Sequence, residues 1–318
     1  MSAARVIGID AGGTKLLGGV VDGSLAVRER VHRFWRGRDR DEVLDVFVQA
    51  VEEARAAAPD VAAVGFGIPS VVDAATGSSE YSVHLPLAGV SFREVMAERL
   101  GLPVWVDNDA NLALLAEARA GAARGARHAV MLTLGTGIGG GLLLDGRLYR
   151  GARGGGAELG HVVVDIDGPP CQGGCPNRGC LETLASGSAI GREGAAAAAR
   201  APESALGRAL LDGREVTGGL VTEVAHDGDA VAIEVLALVG RRLGAGLASL
   251  VNAFQPEVVV IGGGAVAAGE LLLGPAREVV MATALPPLRE GVRVVAAELA
   301  AEAGLIGAGI LALERGEV

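Results

Sequence analysis

Aromatic residues are scarce in this chain, with two Trp, two Tyr and five Phe among 318 residues. Any core must therefore rest on aliphatic side chains, and apolar residues make up 50% of the total. Lysine is nearly absent: of 28 basic residues only Lys15 is a lysine. Acidic residues number 38 and leave a net charge of −10. That balance argues against a general nucleic-acid binder, which needs a basic surface to neutralise phosphates. Cysteine is also rare, and its three copies all lie within Cys171–Cys180. They make no disulfide framework; in a cytosolic chain such a cluster points to metal. No apolar run reaches the ~18–20 residues of a membrane span. The longest candidates, Val258–Gly269 and Leu243–Pro256, end at Glu270 and Glu257. Met1–Asp10 has no secretory apolar core, so a soluble, cytoplasmic protein without a membrane partner is expected.

What is abundant is glycine, 50 residues, about twice the usual ~7%. Such an excess in a chain with this much apolar content signals tight turns and close backbone approaches. The length suggests about two domains. Arg5–Asp10 and Leu16–Val21 flank a glycine turn and read as a hairpin. A third strand is expected over Ala26–Trp35, a helix over Arg40–Ala58 stopped by Pro59, and a strand over Val61–Ile68. Phe92–Leu100 reads as a helix, Val104–Val106 as a strand and Ala110–Gly121 as a helix. At Ala129 the opening pattern returns: strand Ala129–Leu134, turn Gly135–Gly141, strand Leu142–Leu144, then Asp145-Gly146. The echo suggests two related halves. Helical periods follow over Glu182–Ala199, Ala205–Leu211, Val216–Asp227 and Ala230–Phe254. A buried strand, Glu257–Ile261, leads into Gly262–Gly264 and another helix. The last strand is Val292–Val295 and the last helix Gly304–Arg315. Strands alternating with helices give an α/β class.

Four segments carry chemistry. In the first turn, Gly12 and Gly13 let backbone N–H groups approach phosphate oxygens, Thr14 adds a hydroxyl and Lys15 a positive charge. Asp10, at the strand end, can hold a water on magnesium. The same residues also suit a plain tight hairpin. Gly135, Thr136 and Gly137 form a second turn of this sort, and Gly262, Gly263 and Gly264 a third glycine cluster opening a helix. Two Gly/Thr turns in two halves could close on one nucleotide. Asp107-Asn108-Asp109-Ala110-Asn111 lies between a strand and a helix. One of these residues caps the helix, and an ionised carboxylate remains to act as a base. Finally, His161, Cys171, Cys175 and Cys180 fall within 20 residues, the ligand set of a closed structural zinc site. Such a metal could hold Glu158 and Glu182 in place. No serine–histidine–acid pattern stands out.

At this point the chain resembles the ROK sugar kinases, nearly end to end. DAGGTK at Asp10–Lys15 and LGTGIGGG at Leu134–Gly141 match the family's phosphate motifs, and GFGIPS at Gly65–Ser70 resembles its GxPG loop. Asp107–Asn111 matches the segment of the catalytic aspartate. GGGAELGH at Gly154–His161 and CPNRGCLE at Cys175–Glu182 match the sugar and zinc segment, and IGGGAV at Ile261–Val266 resembles the adenosine segment. The resemblance implies an actin-like, ribonuclease H-like sugar-kinase fold of two α/β lobes with a cleft between them. The expected lobes are residues 1–116 plus 304–318, and residues 117–303 with the zinc loop. It further implies ATP, Mg²⁺ and structural Zn²⁺, with transfer of the γ-phosphoryl to a hexose 6-hydroxyl. Asp109 is then the base, and Asn108, Asp109, Glu158, His161 and Glu182 bind sugar. D-glucose is the first expectation; N-acetylglucosamine, N-acetylmannosamine or a non-catalytic sugar sensor are the alternatives. A homodimer or homotetramer is expected. The family's repressors carry an N-terminal DNA-binding domain, for which no room is expected before Asp10. Loss of zinc is expected to weaken sugar binding and to spare ATP binding. Three features depart from the family pattern: Cys-x3-Cys-x4-Cys in place of Cys-x-Cys-x4-Cys, Ser70 in place of Gly, and His84 in place of Asn.

Overall fold

A computed structural model describes residues 5–13, 15–34 and 39–315. Contacts divide the chain into two compact units: Met1–Arg127 with Gly141–Ala157 and Glu298–Val318, and His128–Gly140 with Glu158–Ala297. These bounds differ from the expected ones at 116/117 and 303/304. The difference arises because the helix Asp109–Ala120 is continuous, and because Gly141–Ala157 folds with the first unit.

The first unit is built from β1 (Val6–Ala11), β2 (Lys15–Val21), β3 (Val27–Phe34), α1 (Arg40–Ala57), β4 (Val64–Ile68), β5 (Ser70–Val72), β6 (Ser79–Ser82), α2 (Phe92–Leu100), β7 (Val104–Asn108) and α3 (Asp109–Ala120). Its main sheet has the order β3-β2-β1-β4-β7, while β5 and β6 pair by themselves. β1 runs antiparallel to β2 and parallel to β4, which runs parallel to β7. β1 and β4 are apolar along almost their whole length because both faces are covered. Asp39 caps α1, its carboxylate accepting the Glu42 N–H at 3.0 Å. The few aromatics are concentrated here: Phe47 of α1, Phe66 of β4 and Phe92 of α2 meet with ring centroids 5.2, 5.9 and 6.0 Å apart.

The chain continues through β8 (Ala129–Leu134), β9 (Ile138–Leu144), β10 (Arg147–Leu148), α4 (Leu181–Ala185), α5 (Gly187–Arg200), α6 (Ala205–Leu211), α7 (Gly218–His226), α8 (Ala230–Phe254), β11 (Val258–Gly262), α9 (Glu270–Thr283), α10 (Pro286–Arg289) and β12 (Arg293–Ala296). The sheet order is β10-β9-β8-β11-β12, with β8, β11 and β12 parallel. This repeats the order of the first sheet, as the echo at Ala129 suggests. The unit boundary falls within β9, between Gly140 and Gly141. α8 spans 25 residues but carries Glu234, Arg241 and Arg242. Among the described residues no helix is long and apolar enough to cross a membrane.

Two expected elements come out differently. The helix read over Glu182–Ala199 is broken at Ser186, whose extended backbone ends α4 and whose hydroxyl caps α5 by accepting the Ala189 N–H. The second turn is shorter than its run of glycines, since β9 begins at Ile138 and takes Gly139–Gly141 into the strand.

From Glu298 the chain belongs to the first unit again and ends in α11 (Ala303–Leu313), buried from Ala303 to Ala312. It lies against α3, β1 and β4. A Cβ on Gly65 would stand 1.8 Å from the Ala308 carbonyl oxygen, and one on Gly8 would stand 2.3 Å from that of Leu305. The helix backbone therefore rests directly on the strands. Glu117 of α3 fixes the approach to α11. Its buried carboxylate accepts the N–H groups of Ala122 at 2.7 Å, Glu298 at 3.2 Å and Leu299 at 2.8 Å. Hydrogen bonds to charged groups contribute about 1.5–3 kcal/mol each, and orphaned buried donors are costly. Glu117→Ala is expected to lower unfolding stability by about 3 kcal/mol or more, read by denaturant titration. A loss below about 1 kcal/mol would show that the three amides find other partners.

Candidate active site

In the first unit, Asp10 stands near the end of β1. Its carboxyl is pushed up to about 7, first by burial and then by the carboxylate of Asp109, against the pull of Lys15. Gly304, in the first turn of α11, leaves room for this group: a Cβ there would lie 2.4 Å from Asp10 Cγ. The turn after β1 closes with Gly12 N–H donating to the Lys15 carbonyl at 2.8 Å, and Lys15 is exposed. Thr14 lies outside the described residues. His84 packs beside this turn, its Cβ 3.1 Å from where a Cβ on Gly13 would be.

The strand-to-helix junction at Asp107–Asn111 divides its roles among the polar side chains. Asn108 is the cap of α3: its Oδ1 accepts the N–H groups of Ala110 and Asn111, and its Nδ2 donates to the Ser70 carbonyl at 3.3 Å. Asp109 is the first residue of α3, and its Oδ1 accepts the Ala110 N–H at 2.9 Å. Asp107, absent from the expected site, is the anchor. Its Oδ1 accepts from Asn108 N–H at 2.7 Å and from Asn111 Nδ2 at 3.1 Å, and its Oδ2 accepts from Arg150 Nε at 2.6 Å. The Asp-Asn-Asp run supplied a signal for one structural acid, but nothing in the sequence pairs it with Arg150.

In the second unit, the turn Gly135–Gly137 is closed by Gly135 N–H donating to the Gly137 carbonyl at 2.9 Å. Gly263 takes a left-handed φ of 80°, and its Cα lies so close to Leu134 that a Cβ would stand 2.5 Å from the Leu134 carbonyl oxygen. This contact brings the third glycine cluster against the second turn. Gly262 is packed on Met131 at the end of β11, whereas Gly264 reaches a cavity of about 660 Å³. The segment after Gly263 is a 3₁₀ turn, Gly264–Ala268, and the α-helix starts only at Glu270. The cavity is lined by Gly135 and Thr136, by Gly191 of α5, by Thr217 and Gly218 at the start of α7, and by Gly264. Its size suits a nucleotide-sized ligand. Thr217 and Gly218 were missed in the sequence, where Val216–Asp227 read simply as helix.

The metal segment is compact. Ligand atoms of His161, Cys171, Cys175 and Cys180 lie within 4.8 Å of one another. Cys171 Sγ is 3.5 Å from His161 Nδ1, and Cys175 Sγ is 4.0 Å from Cys180 Sγ. Tetrahedral zinc, with bonds of about 2.0–2.3 Å, needs ligand separations near ~3.6–3.8 Å. The residues fit the metal in donor type, number and spacing. Burial and the neighbouring Cys180 and Cys175 push the Cys171 thiol up to about 12, so metal uptake would release protons. Glu158 precedes a 3₁₀ turn, Leu159–His161. Its carboxyl is raised mainly by burial and further by Glu182, with His161 opposing. Glu182 is buried on α4, and its Oε2 accepts the Ile138 N–H at 2.8 Å. Of the expected residues, the structure brings together His161 with the three cysteines, Glu158 with Glu182, and Gly135 and Thr136 with Gly264.

The ROK family profile matches residues 6–315. The chain belongs to the ROK family. The glucokinase of Thermotoga maritima is 36% identical over 328 residues, 99% of this chain and 99% of its own. A ROK family glucokinase from Streptomyces griseus, solved in complex with glucose and AMPPNP, superposes with a TM-score of 0.86 at 36% identity. The match covers 97% of this chain and 99% of that one. A ROK family transcriptional regulator, a homologue of the E. coli MLC protein, superposes with a TM-score of 0.88 at 26% identity, over 99% of this chain and 78% of its own. The fold of this ROK protein is the sugar-kinase fold that the resemblance implies.

Two outcomes follow for this ROK chain. Metal analysis is expected to find about one zinc per chain, and Cys175→Ser to remove most of it; a full complement in that variant would exclude Cys175 as a ligand. The second concerns pH. The folded chain holds the Asp10 proton up to about pH 7, whereas an unfolded aspartate releases it near ~3.9. The contribution of this group to stability is therefore greatest below about pH 4 and falls as the pH rises to about 7. Denaturant titrations of the nucleotide-free protein should show wild type losing stability across this range relative to Asp10→Asn. Parallel profiles would refute the shift.

Proposed function

We propose that the chain is an ATP-dependent hexokinase that transfers the γ-phosphoryl of ATP to the 6-hydroxyl of a hexose, D-glucose before others. The observation that carries this reading is Asp109, a carboxylate at the first turn of α3, in a chain similar over its full length to glucokinases. In the reaction, Asp109 orients the 6-hydroxyl and takes its proton as the oxygen attacks the γ-phosphorus. The β–γ bridging bond breaks and ADP leaves. Asn108 and Asp109 are carried by the first unit, and Glu158, His161 and Glu182 by the second. The turns that carry Gly12, Gly13 and Lys15, and Gly135 and Thr136, supply the phosphate contacts in this reading, with Gly12 N–H and Gly135 N–H closing the turns themselves, and the cavity behind Gly135 receives the nucleoside. Mg²⁺, when bound, neutralises charge developing on the phosphates. His161, Cys171, Cys175 and Cys180 would hold zinc, which would fix the ring orientation of His161 and the loop ahead of Glu182. The enzyme works in the cytoplasm, as a homodimer or homotetramer; its mass by light scattering tests the assembly.

ADP release under ATP is the decisive measurement, with glucose, fructose, N-acetylglucosamine and N-acetylmannosamine offered in turn. Glucose is expected to give the highest kcat/KM. A higher value for an N-acetylated hexose would move the substrate class, and no ADP with any sugar would leave a sensor. Asp109→Asn is expected to lower kcat by about 10²–10⁴-fold with the fold intact. Retention of more than about a tenth of kcat would remove Asp109 from the base role.

A further inference from the structure

The turn Gly135–Gly137 is held from outside by the metal segment. Ile138 N–H, at its exit, donates to Glu182 Oε2 at 2.8 Å, and Gln172 Nε2 donates to the Thr136 carbonyl at 3.2 Å. A carboxylate accepting a backbone N–H makes a charge-assisted bond, stronger than a neutral one. The contact is also steric. A Cβ on Gly137 would fall 2.1 Å from Glu182 Oε2, so the turn lies directly on the carboxylate. The other oxygen, Oε1, is 3.9 Å from Cys171 Sγ. α4 is itself tied to the metal segment, Leu181 N–H donating to the Val162 carbonyl and Thr183 Oγ1 to that of Cys180. Gln172 belongs to the stretch between Cys171 and Cys175 that is two residues longer than the family pattern.

We propose that Glu182 couples hexose binding to nucleotide binding, acting as a positioning residue for the phosphate turn as well as a sugar ligand, with Gln172 as a second brace. The proposal rests on the functional reading above, in which Glu182 meets the hexose and the Gly135–Gly137 turn meets phosphate. Hydroxyl groups donating to Glu182 lock its carboxylate in the rotamer that receives Ile138 N–H. The turn is then ordered before the nucleotide arrives, and less order has to be gained on binding. Thermodynamic linkage makes the effect reciprocal, so nucleotide tightens hexose by the same factor. This geometry gives the metal segment a hold on the nucleotide turn, which the sequence reading kept apart from it.

Calorimetric titration separates this role from a simple sugar contact. AMPPNP is titrated into the protein with and without glucose, and glucose with and without AMPPNP. Wild type is expected to show tighter binding of each in the presence of the other, by about 5-fold or more. Glu182→Gln should weaken AMPPNP binding to the glucose-free protein by roughly 5-fold and bring the coupling factor close to one. Gln172→Ala should weaken AMPPNP by about 3-fold and leave glucose affinity in the nucleotide-free protein unchanged. Gly137→Ala should weaken glucose in the nucleotide-free protein, although Gly137 belongs to the nucleotide turn. Circular dichroism melts confirm that each variant is folded, and the first two substitutions keep the test intact where Gly137→Ala fails to fold. If Glu182→Gln binds AMPPNP like wild type without glucose and only glucose affinity falls, Glu182 is a sugar ligand alone and the proposal is overturned. Wild type that binds neither glucose nor AMPPNP would instead remove the functional reading, and the coupling with it.

Discussion

Asp107, the penultimate residue of β7, has 4% of its surface exposed. A charge taken that far from water is costly unless its oxygens are met by donors. Both oxygens are met, by the Asn108 amide, the Asn111 side chain and Arg150, which lies 43 residues along the chain. The direction of the β7–α3 junction follows from this. Asn108 is turned to cap the helix, and Asp109 stands on its first turn. Removing one partner of a buried pair typically costs about 3–5 kcal/mol, because the other charge stays buried. The position of the proposed base thus depends on an acid whose oxygens are taken up by Asn108, Asn111 and Arg150.

Asp107, Glu117 and Glu182 are the charged residues buried among the described ones, and all three accept backbone N–H groups. Among the described residues, Asp107 is the one of the three that pairs with a cation, Arg150. A chain with one lysine and an acidic balance meets its buried carboxylates largely with amide dipoles. Amides are fixed by the fold, so Glu117 and Glu182 join segments distant in sequence, whereas Asp107 does so through the Arg150 side chain. Glu117 joins α3 to the approach of α11, and Glu182 joins the metal segment to the second phosphate turn.

Local chemistry was legible in the sequence because it is written in short windows. The glycine turns after β1 and β8, the alternation of strands and helices, and the His161-to-Cys180 spacing all depend on neighbours within about 20 residues. The repeat of strand order in the two sheets was visible as an echo at Ala129. What escaped depends on distant partners. Asp107 reads as one of two equivalent acids until Arg150 arrives beside it. Thr217 and Gly218 read as an ordinary helix start until α5 and Gly264 stand opposite. The break at Ser186 is local, but a helical period continues on both sides and masks it. Gly139–Gly141 looked like turn because glycine suits turns, and the pairing of β9 decides otherwise.

The packing of α11 on β1 and β4 bears on how this protein could be made more robust. Replacing glycine with alanine is a general route to stability, since it narrows the unfolded ensemble. With 50 glycines the chain looks rich in such openings. At Gly8 and Gly65 the helix backbone occupies the space a methyl group would need. At Gly263 the left-handed backbone and the Leu134 carbonyl close the position as well. Gly135 and Gly264 have open space around them, but that space is the cavity itself. These glycines are thus committed to contact and to function, and alanine finds its room instead on helices, at Gly219 of α7 and Gly274 of α9, where a Cβ would meet nothing nearer than 3.7 and 3.9 Å.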